Sequence, residues 1–228
     1  MRIVLAAMMP WLAGLALAAE PRGPLVLLTA QTPTGELAGW KSYSEDLKTA
    51  TGQVWRLLPD GVLVCRGKPN GYLYTERSWR DFSLSLQWRT PEGRKPGRGG
   101  ILIRMTGKHK IWPRSLEAQL NAGDEGDFWG LDGFTLSGPA SHLKVIESSP
   151  FGKLTHLKRA AAAVRPAGQW NRYEIIAQGG TVILKINGQE VNRASDCDTH
   201  AGPICLTAEG DEIHFRDIVL TPLEPTEE

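Results

Sequence analysis

The chain has 228 residues, and its 26 lysines and arginines against 25 aspartates and glutamates leave a formal net charge of +1. This balance argues against nucleic acid and anionic membranes as partners, because both select proteins with strongly basic surfaces. A neutral substrate fits the composition better, and a chain of this length can bury roughly 70% of its unfolded surface in one core.

The N-terminus has the pattern of a secretory signal. Arg2 is the only charge before Glu20, residues 3–17 form an apolar run, and a small-residue cleavage motif ends at Ala18. We expect residues 1–18 to be a Sec-type signal peptide, so that the protein is periplasmic or secreted and has no membrane partner after cleavage. An uncleaved anchor is the alternative, but the run is shorter than the ~20 residues that a spanning helix needs.

Short segments of alternating polarity follow along the chain, separated by glycine, proline and aspartate. Residues 55–58 and 62–65 flank a Pro-Asp-Gly turn, and residues 82–89 alternate apolar with polar side chains. Residues 173–177 and 181–186 predict a further strand pair. No long amphipathic helix is predicted, and the pattern is typical of an all-β sandwich or barrel.

A closing strand is predicted over residues 213–220, and the charged residues 209–216 are interpreted as part of this structural motif. We expect a single domain over residues 24–223, followed by a polar tail at 224–228. Five tryptophans are predicted to lie in the β core: Trp40, Trp55, Trp79, Trp88 and Trp170.

The three cysteines leave two interpretations open. Cys197 and Cys205 flank a short loop that a disulfide could close in an exported protein, whereas Cys65 has no obvious partner. Alternatively, all three are small buried side chains, as free cysteines often are. The odd count and the absence of a C-x-x-C motif argue against zinc or redox chemistry.

The segment from residue 99 to residue 121 carries an unusual polar strand face. Glu117, Gln119 and Asn121 alternate with apolar residues, so the three polar side chains share one face of a strand. Glutamate, glutamine and asparagine are poor strand formers, which suggests a functional reason for their presence. Arg104, at the end of the preceding strand, is expected to lie close to this face.

The loops beside this segment add further candidates. His109, on the connection between the two strands, could donate to a substrate, protonate a leaving group or ligate a metal, although a loop histidine is also often only solvated. Trp112 and Trp129 could stack on sugar rings, or they could belong to the core.

Acidic residues in the long loop over residues 121–138 allow a cation site. Asp124, Glu125 and Asp127 could bind Ca²⁺ with backbone carbonyls, but their spacing lacks the usual calcium-loop pattern, and a solvated loop is the alternative. Asp127 is the strongest of the three, and His142 could complete a site. No His or Glu cluster has the spacing of a metal centre, so a divalent metal remains open.

Several motifs in this order and spacing resemble the 3-keto-disaccharide hydrolase domain family, over nearly all of the chain after the leader. The motifs that carry the resemblance are Trp55 with Asp60-Gly61-Val62-Leu63, Tyr74-Thr75-Glu76, Arg80-Asp81-Phe82-Ser83-Leu84, Gly100-Ile101-Leu102-Ile103-Arg104, Leu116-Glu117-Ala118-Gln119-Leu120, Gly168-Gln169-Trp170-Asn171-Arg172-Tyr173-Glu174-Ile175, Asn187-Gly188 and residues 208–218. The sequence departs from the family at Arg98-Gly99, where Asn-Ser or a similar pair is usual.

The resemblance implies a concanavalin A-like jelly-roll β-sandwich that acts on sugars oxidised to a ketone at C3. Because the alternating positions after Glu117 hold amides, the strand lacks the carboxylate pair of an ordinary glycosidase. A single base could instead remove the acidic C2 proton of a 3-keto-glycoside, so that the C1 substituent leaves and water then adds.

In this hypothesis Glu117 is the base, and Arg104 or His109 assists the reaction. Gln119, Asn121, Trp112, Trp129, Asp127 and His142 are the substrate-binding candidates. A non-catalytic carbohydrate-binding module is the alternative function, because the same sandwich serves lectins.

Overall fold

A computed structural model describes residues 23–33, 35, 37–94 and 97–225 of the chain. The predicted signal peptide over residues 1–18 lies outside the described residues. The strands are β1 (Leu25–Leu28), β2 (Trp40–Ser44), β3 (Trp55–Leu57), β4 (Leu63–Cys65), β5 (Gly71–Thr75), β6 (Phe82–Arg89), β7 (Gly100–Ile103), β8 (Ser115–Gln119), β9 (Phe128–Leu131), β10 (Leu143–Ile146), β11 (Leu154–Leu157), β12 (Asn171–Gln178), β13 (Thr181–Ile186), β14 (Gln189–Ala194), β15 (Cys205–Ala208) and β16 (Ile213–Pro222), with one short helix, α1 (Thr51–Val54).

The described strands form two antiparallel sheets of eight strands each. Sheet A has the order β14-β13-β12-β6-β16-β4-β3, with β1 paired to the C-terminal half of β16, and sheet B has the order β10-β11-β9-β8-β7-β15-β5-β2. The hairpin around residues 59–61 and the long alternating strand β6 are both present, which confirms the prediction of an all-β sandwich.

The two sheets pack face to face over a single apolar core. Along β6 and β12, buried and partly exposed residues alternate strictly, so every second side chain enters the core. Four of the five predicted core tryptophans are buried, but Trp170 is only partly buried and lies at the start of β12. That prediction was wrong for Trp170, because this residue falls on the outward-facing phase of the strand.

The cysteines are free and buried. Burial raises the pKa of the Cys65 and Cys197 thiols to about 12, because the thiolate would lose its hydration. The interpretation of the cysteines as small core side chains is therefore the one that the structure supports.

Candidate functional site

The outer face of sheet B carries the polar residues that the sequence singled out. Leu102 pairs with Glu117, Glu117 pairs with Trp129, and Trp129 pairs with His156 across strands β7, β8, β9 and β11. On the other side of Leu102, the same row continues through Cys205 to Tyr74. Paired residues point to the same face of a sheet, so these side chains form one surface opposite the core.

Glu117 lies at the centre of this surface and is only 4% exposed. Its carboxyl group lies over the backbone of Gly100, because a Cβ built on Gly100 would come within 2.2 Å of Glu117 Oε1. Glycine at this position therefore provides the space that the carboxyl group occupies.

Gln119 connects Glu117 to the neighbouring side chains. In the amide orientation that satisfies all of its neighbours, Gln119 Nε2 donates to Glu117 Oε1 at 2.9 Å and to Gly99 O at 3.1 Å. Its Oε1 then accepts from Trp129 Nε1 at 3.2 Å and from Asn121 Nδ2 at 3.0 Å. Asn121 Oδ1 accepts from the Gly99 amide at 2.9 Å, which ties the polar strand end to β7. The structure thus brings Glu117, Gln119, Asn121 and Trp129 together.

Glu209 is a second carboxyl group beside Glu117, and the sequence analysis missed it. The interpretation of residues 209–216 as a closing motif was incomplete, since β16 begins only at Ile213 and Glu209 continues the alternation of β15. Cys205, Thr207 and Glu209 are spaced by two, and this periodicity was the signal that placed Glu209 on the outer face. The expectation of a lone carboxylate is therefore corrected to a pair.

Both carboxyl groups resist ionisation. Burial raises the pKa of Glu117 well above its ordinary value, and the negative charge of Glu209 raises it further. Burial also raises the pKa of Glu209, while hydrogen bonding by Thr207 and Trp112 and the charge of Arg98 offset part of this effect. Each of the two carboxyl groups therefore keeps its proton to a higher pH than an exposed glutamate does, because burial and the charge of its neighbour both oppose ionisation of Glu117.

Asp127 supports Trp129 indirectly and is itself 1% exposed. Its Oδ2 lies 2.7 Å from His156 Nε2, and its Oδ1 accepts from the Arg159 amide at 2.9 Å. The His156 ring stacks on Trp129, with centroids 4.3 Å apart and planes inclined by 16°. Asp127 therefore orients His156, and His156 in turn positions the Trp129 indole, whose N–H donates a hydrogen bond to Gln119. The sequence analysis did not include His156 among its candidates.

The β7–β8 loop folds back over the tyrosine-rich side of the same face. His109 Nδ1 lies 2.8 Å from the Tyr72 hydroxyl, and its ring contacts Tyr74 with centroids 4.7 Å apart. Tyr72 is on β5, three strands from β8, which places it about 14 Å from Glu117 along the sheet at ~4.8 Å per strand. Tyr72 also pairs with Thr207 on β15 and lines the same small cleft as Glu209, so His109 anchors the loop near Glu209 and three strands away from Glu117.

Trp112, from the same loop, lies closer to the carboxyl pair. It lines a small cleft together with Leu102 and Glu209, and its ring meets the edge of Phe151 at a centroid distance of 4.7 Å. Trp112 and Trp129 thus belong to the face that holds Glu117 and Glu209.

Arg104 does not join this group, which corrects the expected pairing with Glu117. Its φ of 53° turns the chain away as β7 ends, and the guanidinium donates to the carbonyls of Arg80, Gly179 and Asp198 at 2.7–3.1 Å. Asp81 Oδ1 lies 3.4 Å from the same group. Arg104 is fully buried and ties three loops together.

The remaining candidates lie at the margins of sheet B. The backbone of His142, just before the edge strand β10, forms hydrogen bonds with Pro139 and Lys158. Asp124 and Glu125 form hydrogen bonds within their own loop. Within the described part of the chain, no three His, Cys, Asp or Glu side chains lie close enough together to hold a metal ion. Nor does any helix in the described ranges have the length and apolar character needed to cross a membrane.

Comparison with known proteins supports the fold assignment. A candidate glycosyl hydrolase from Parabacteroides distasonis is 18% identical, with 89% of this chain and 95% of that one covered at a TM-score of 0.61. A β-glucanase from Bacillus licheniformis is 11% identical (89% and 99% covered, TM-score 0.57), and the carbohydrate-binding module CBM66 from Bacillus subtilis is 13% identical (80% and 95% covered, TM-score 0.54). These likenesses confirm the concanavalin A-like jelly-roll sandwich.

The sequence itself defines the family. No curated protein matches the chain. Residues 33–221, however, match the 3-keto-alpha-glucoside-1,2-lyase-like domain, which covers most of the described sandwich and both carboxyl groups of the site. The protein is thus a carbohydrate-active, glycosyl hydrolase-like chain that belongs to the 3-keto-alpha-glucoside-1,2-lyase-like domain family.

Proposed function

We propose that this protein cleaves 3-keto-glycosides by elimination, with hydration of the product as a second step. The observation that carries the proposal is the buried carboxyl pair, Glu117 and Glu209, beside Trp112 and Trp129 on one sheet face. A ketone at C3 acidifies the proton at C2, and a carboxylate with a raised pKa is a suitable base for such a proton at neutral pH.

The elimination balances with these two side chains. The reaction starts from the form of the pair in which Glu209 holds a proton and Glu117 is ionised. Glu117, supported by the Gln119 N–H, takes the C2 proton, and the C–H electron pair moves toward the C3 carbonyl to give an enolate. Collapse of the enolate forms the C1–C2 double bond and breaks the bond from C1 to the glycosidic oxygen. Glu209 gives its proton to the departing oxygen. Addition of water across the C1–C2 bond then yields the free 3-keto sugar.

The developing enolate needs a positive or hydrogen-bonding group near the C3 oxygen. Arg98 contributes a cation at the side of Glu209, and Trp112 contributes an indole N–H. Within the described residues, no group of three His, Cys, Asp or Glu side chains could hold a metal ion. Activity before and after treatment with EDTA tests whether a divalent metal takes part.

The alternative is a carbohydrate-binding module without catalysis, which the likeness to CBM66 favours. Aromatic side chains beside polar groups suit either function. Turnover decides between them, because binding alone leaves the glycosidic bond intact.

The test uses purified protein with a 3-keto-α-glucoside and its unoxidised parent. We expect release of the aglycone from the keto sugar only, and incorporation of solvent deuterium at C2 when the reaction is run in D₂O. Glu117→Gln and Glu209→Gln should each lower kcat by at least about 10²-fold, the scale of a lost general base or acid. Glu147→Gln, which alters an exposed carboxylate, is the matched control. Unchanged turnover in Glu117→Gln would remove that residue from the base role, and binding without cleavage by the native protein would favour the binding module.

A further inference from the structure

The outer face of sheet A, opposite the carboxyl pair, carries a row of basic side chains. Arg56 pairs with Val64, Val64 pairs with His214, and His214 pairs with Arg89. Asn171 pairs with Trp88, so the preceding residue, Trp170, lies opposite Arg89 at the end of the row. The row crosses five strand positions, a length of about 19 Å at ~4.8 Å per strand.

Trp170 is held between two guanidinium groups. Arg89 lies 4.5 Å and Arg216 lies 4.1 Å from its ring. Gln87 Oε1 accepts two hydrogen bonds from Arg216, at 2.9 and 3.2 Å. These contacts fix the planar groups of the row, so a ligand that binds them costs less side-chain entropy than one that orders free arginines.

Arginines outnumber carboxylates along and beside the row. Seven arginines lie along or beside the row: Arg56, Arg66, Arg89, Arg94, Arg165, Arg172 and Arg216. The four carboxylates are Glu174, Asp211, Glu212 and Asp217.

Arg172, Arg94 and Arg216 pair with Glu174, Glu212 and Asp217 at 3.0–3.8 Å. No carboxylate lies within salt-bridge distance of the other four arginines in the part of the chain that the structure describes.

Two open clefts extend the row at its ends. One, of about 530 Å³, is lined by Arg165, Trp170, Arg172 and Arg216, with Glu174 as its one carboxylate. The other, of about 640 Å³, is lined by Arg56, Arg66 and Arg94 together with Asp211 and Glu212. Both are larger than the cleft beside Glu209, which holds about 10 Å³.

We propose that this face binds an acidic polysaccharide, with carboxylates along the glycan chain meeting the guanidinium groups of the row. Arginine presents a planar fork that fits a carboxylate with two hydrogen bonds. In the first cleft, Gln87 Nε2 donates to Asp217 and has a second N–H that can bind a sugar hydroxyl. The face is a second binding site, independent of catalysis, that attaches the domain to a charged glycan.

Calorimetric titration with tetragalacturonate and with uncharged maltotetraose tests the proposal. We expect binding of the acidic oligosaccharide only, weakening as salt concentration rises. Arg56→Gln and Arg165→Gln change exposed side chains, of which Arg165 donates one hydrogen bond to Trp170 O at 3.2 Å, and each should weaken binding about three- to tenfold. Lys48→Gln, an exposed cation outside the row, is the matched control and should leave the affinity unchanged.

The outcomes separate this site from the carboxyl pair. Glu117→Gln should bind tetragalacturonate like the native protein, and the two arginine variants should keep native turnover of a 3-keto-glucoside. Equal losses in the Lys48 variant and the arginine variants would indicate non-specific attraction and overturn the proposal. Binding of short DNA or anionic vesicles in preference to tetragalacturonate would overturn the assignment of the ligand class.

Discussion

Replacement of Gly100 by alanine tests the placement of Glu117 most directly. An alanine Cβ at this position would lie 2.2 Å from Glu117 Oε1, 2.7 Å from Cγ and 2.8 Å from Cδ, whereas ordinary contacts are 3.4 Å or longer. The carboxyl group must therefore retreat by more than about 1 Å, which breaks its hydrogen bond with Gln119.

We expect Gly100→Ala to lower kcat strongly and to change the free energy of unfolding only slightly. A 1 Å misplacement of a catalytic group can cost about 10² in rate, so we expect kcat to fall by roughly that factor. The added methyl meets the flexible end of a side chain, so overpacking should cost at the low end of about 1–3 kcal/mol. Alanine also lowers the backbone entropy lost on folding by about 0.5–1 kcal/mol, because Gly100 does not have a positive φ. The two effects largely cancel.

The assay compares kcat on a 3-keto-glucoside with the free energy of unfolding in urea. Gly52→Ala is the control, because a Cβ at Gly52 would meet no atom within 4 Å. A Gly100→Ala protein with native kcat would refute the reasoning, since Glu117 would then tolerate displacement. A loss of several kcal/mol of stability would show that the carboxyl group cannot move and that the clash is taken up by the backbone.

Three further predictions follow from the buried polar groups. The pKa of Glu117 is higher in the folded state, so the folded protein binds more protons than the unfolded chain, and its free energy of unfolding falls as pH rises above the ordinary carboxyl pKa of 4.5. The Glu117→Gln variant should therefore have a higher melting temperature than the native protein at pH 8. The difference in melting temperature should vanish near pH 4. His156→Ala removes the ring stacked on Trp129 and should raise KM about two- to tenfold, whereas His156→Phe should restore most of the affinity; an unchanged KM in the alanine variant would argue against positioning of Trp129. Arg104→Met removes the side-chain donor from the carbonyls of Arg80, Gly179 and Asp198 and the buried cation beside Asp81. It should cost about 3–5 kcal/mol in urea unfolding, with native kcat for the protein that remains folded. A large fall in kcat without destabilisation would return Arg104 to the catalytic group.

The sequence predicted much of the local structure because the information is local. Alternation over residues 82–89 and around Glu117 specified strands and assigned side chains to faces, since the side-chain period of a strand is two. The same alternation placed Glu117, Gln119 and Asn121 on one surface, and the structure joins them through the Gln119 amide.

What the sequence alone could not determine is which strands become neighbours. Glu209 lies 92 positions after Glu117, and only the insertion of β7 between β8 and β15 brings the two carboxyl groups together. Arg104 is adjacent in sequence to the site, yet its own positive φ turns its side chain toward other loops. Alternation thus determined the faces of the strands, whereas long-range strand pairing decided that the site has two carboxyl groups, because hydrogen-bonded neighbours in a sheet are chosen by the packing of the whole core.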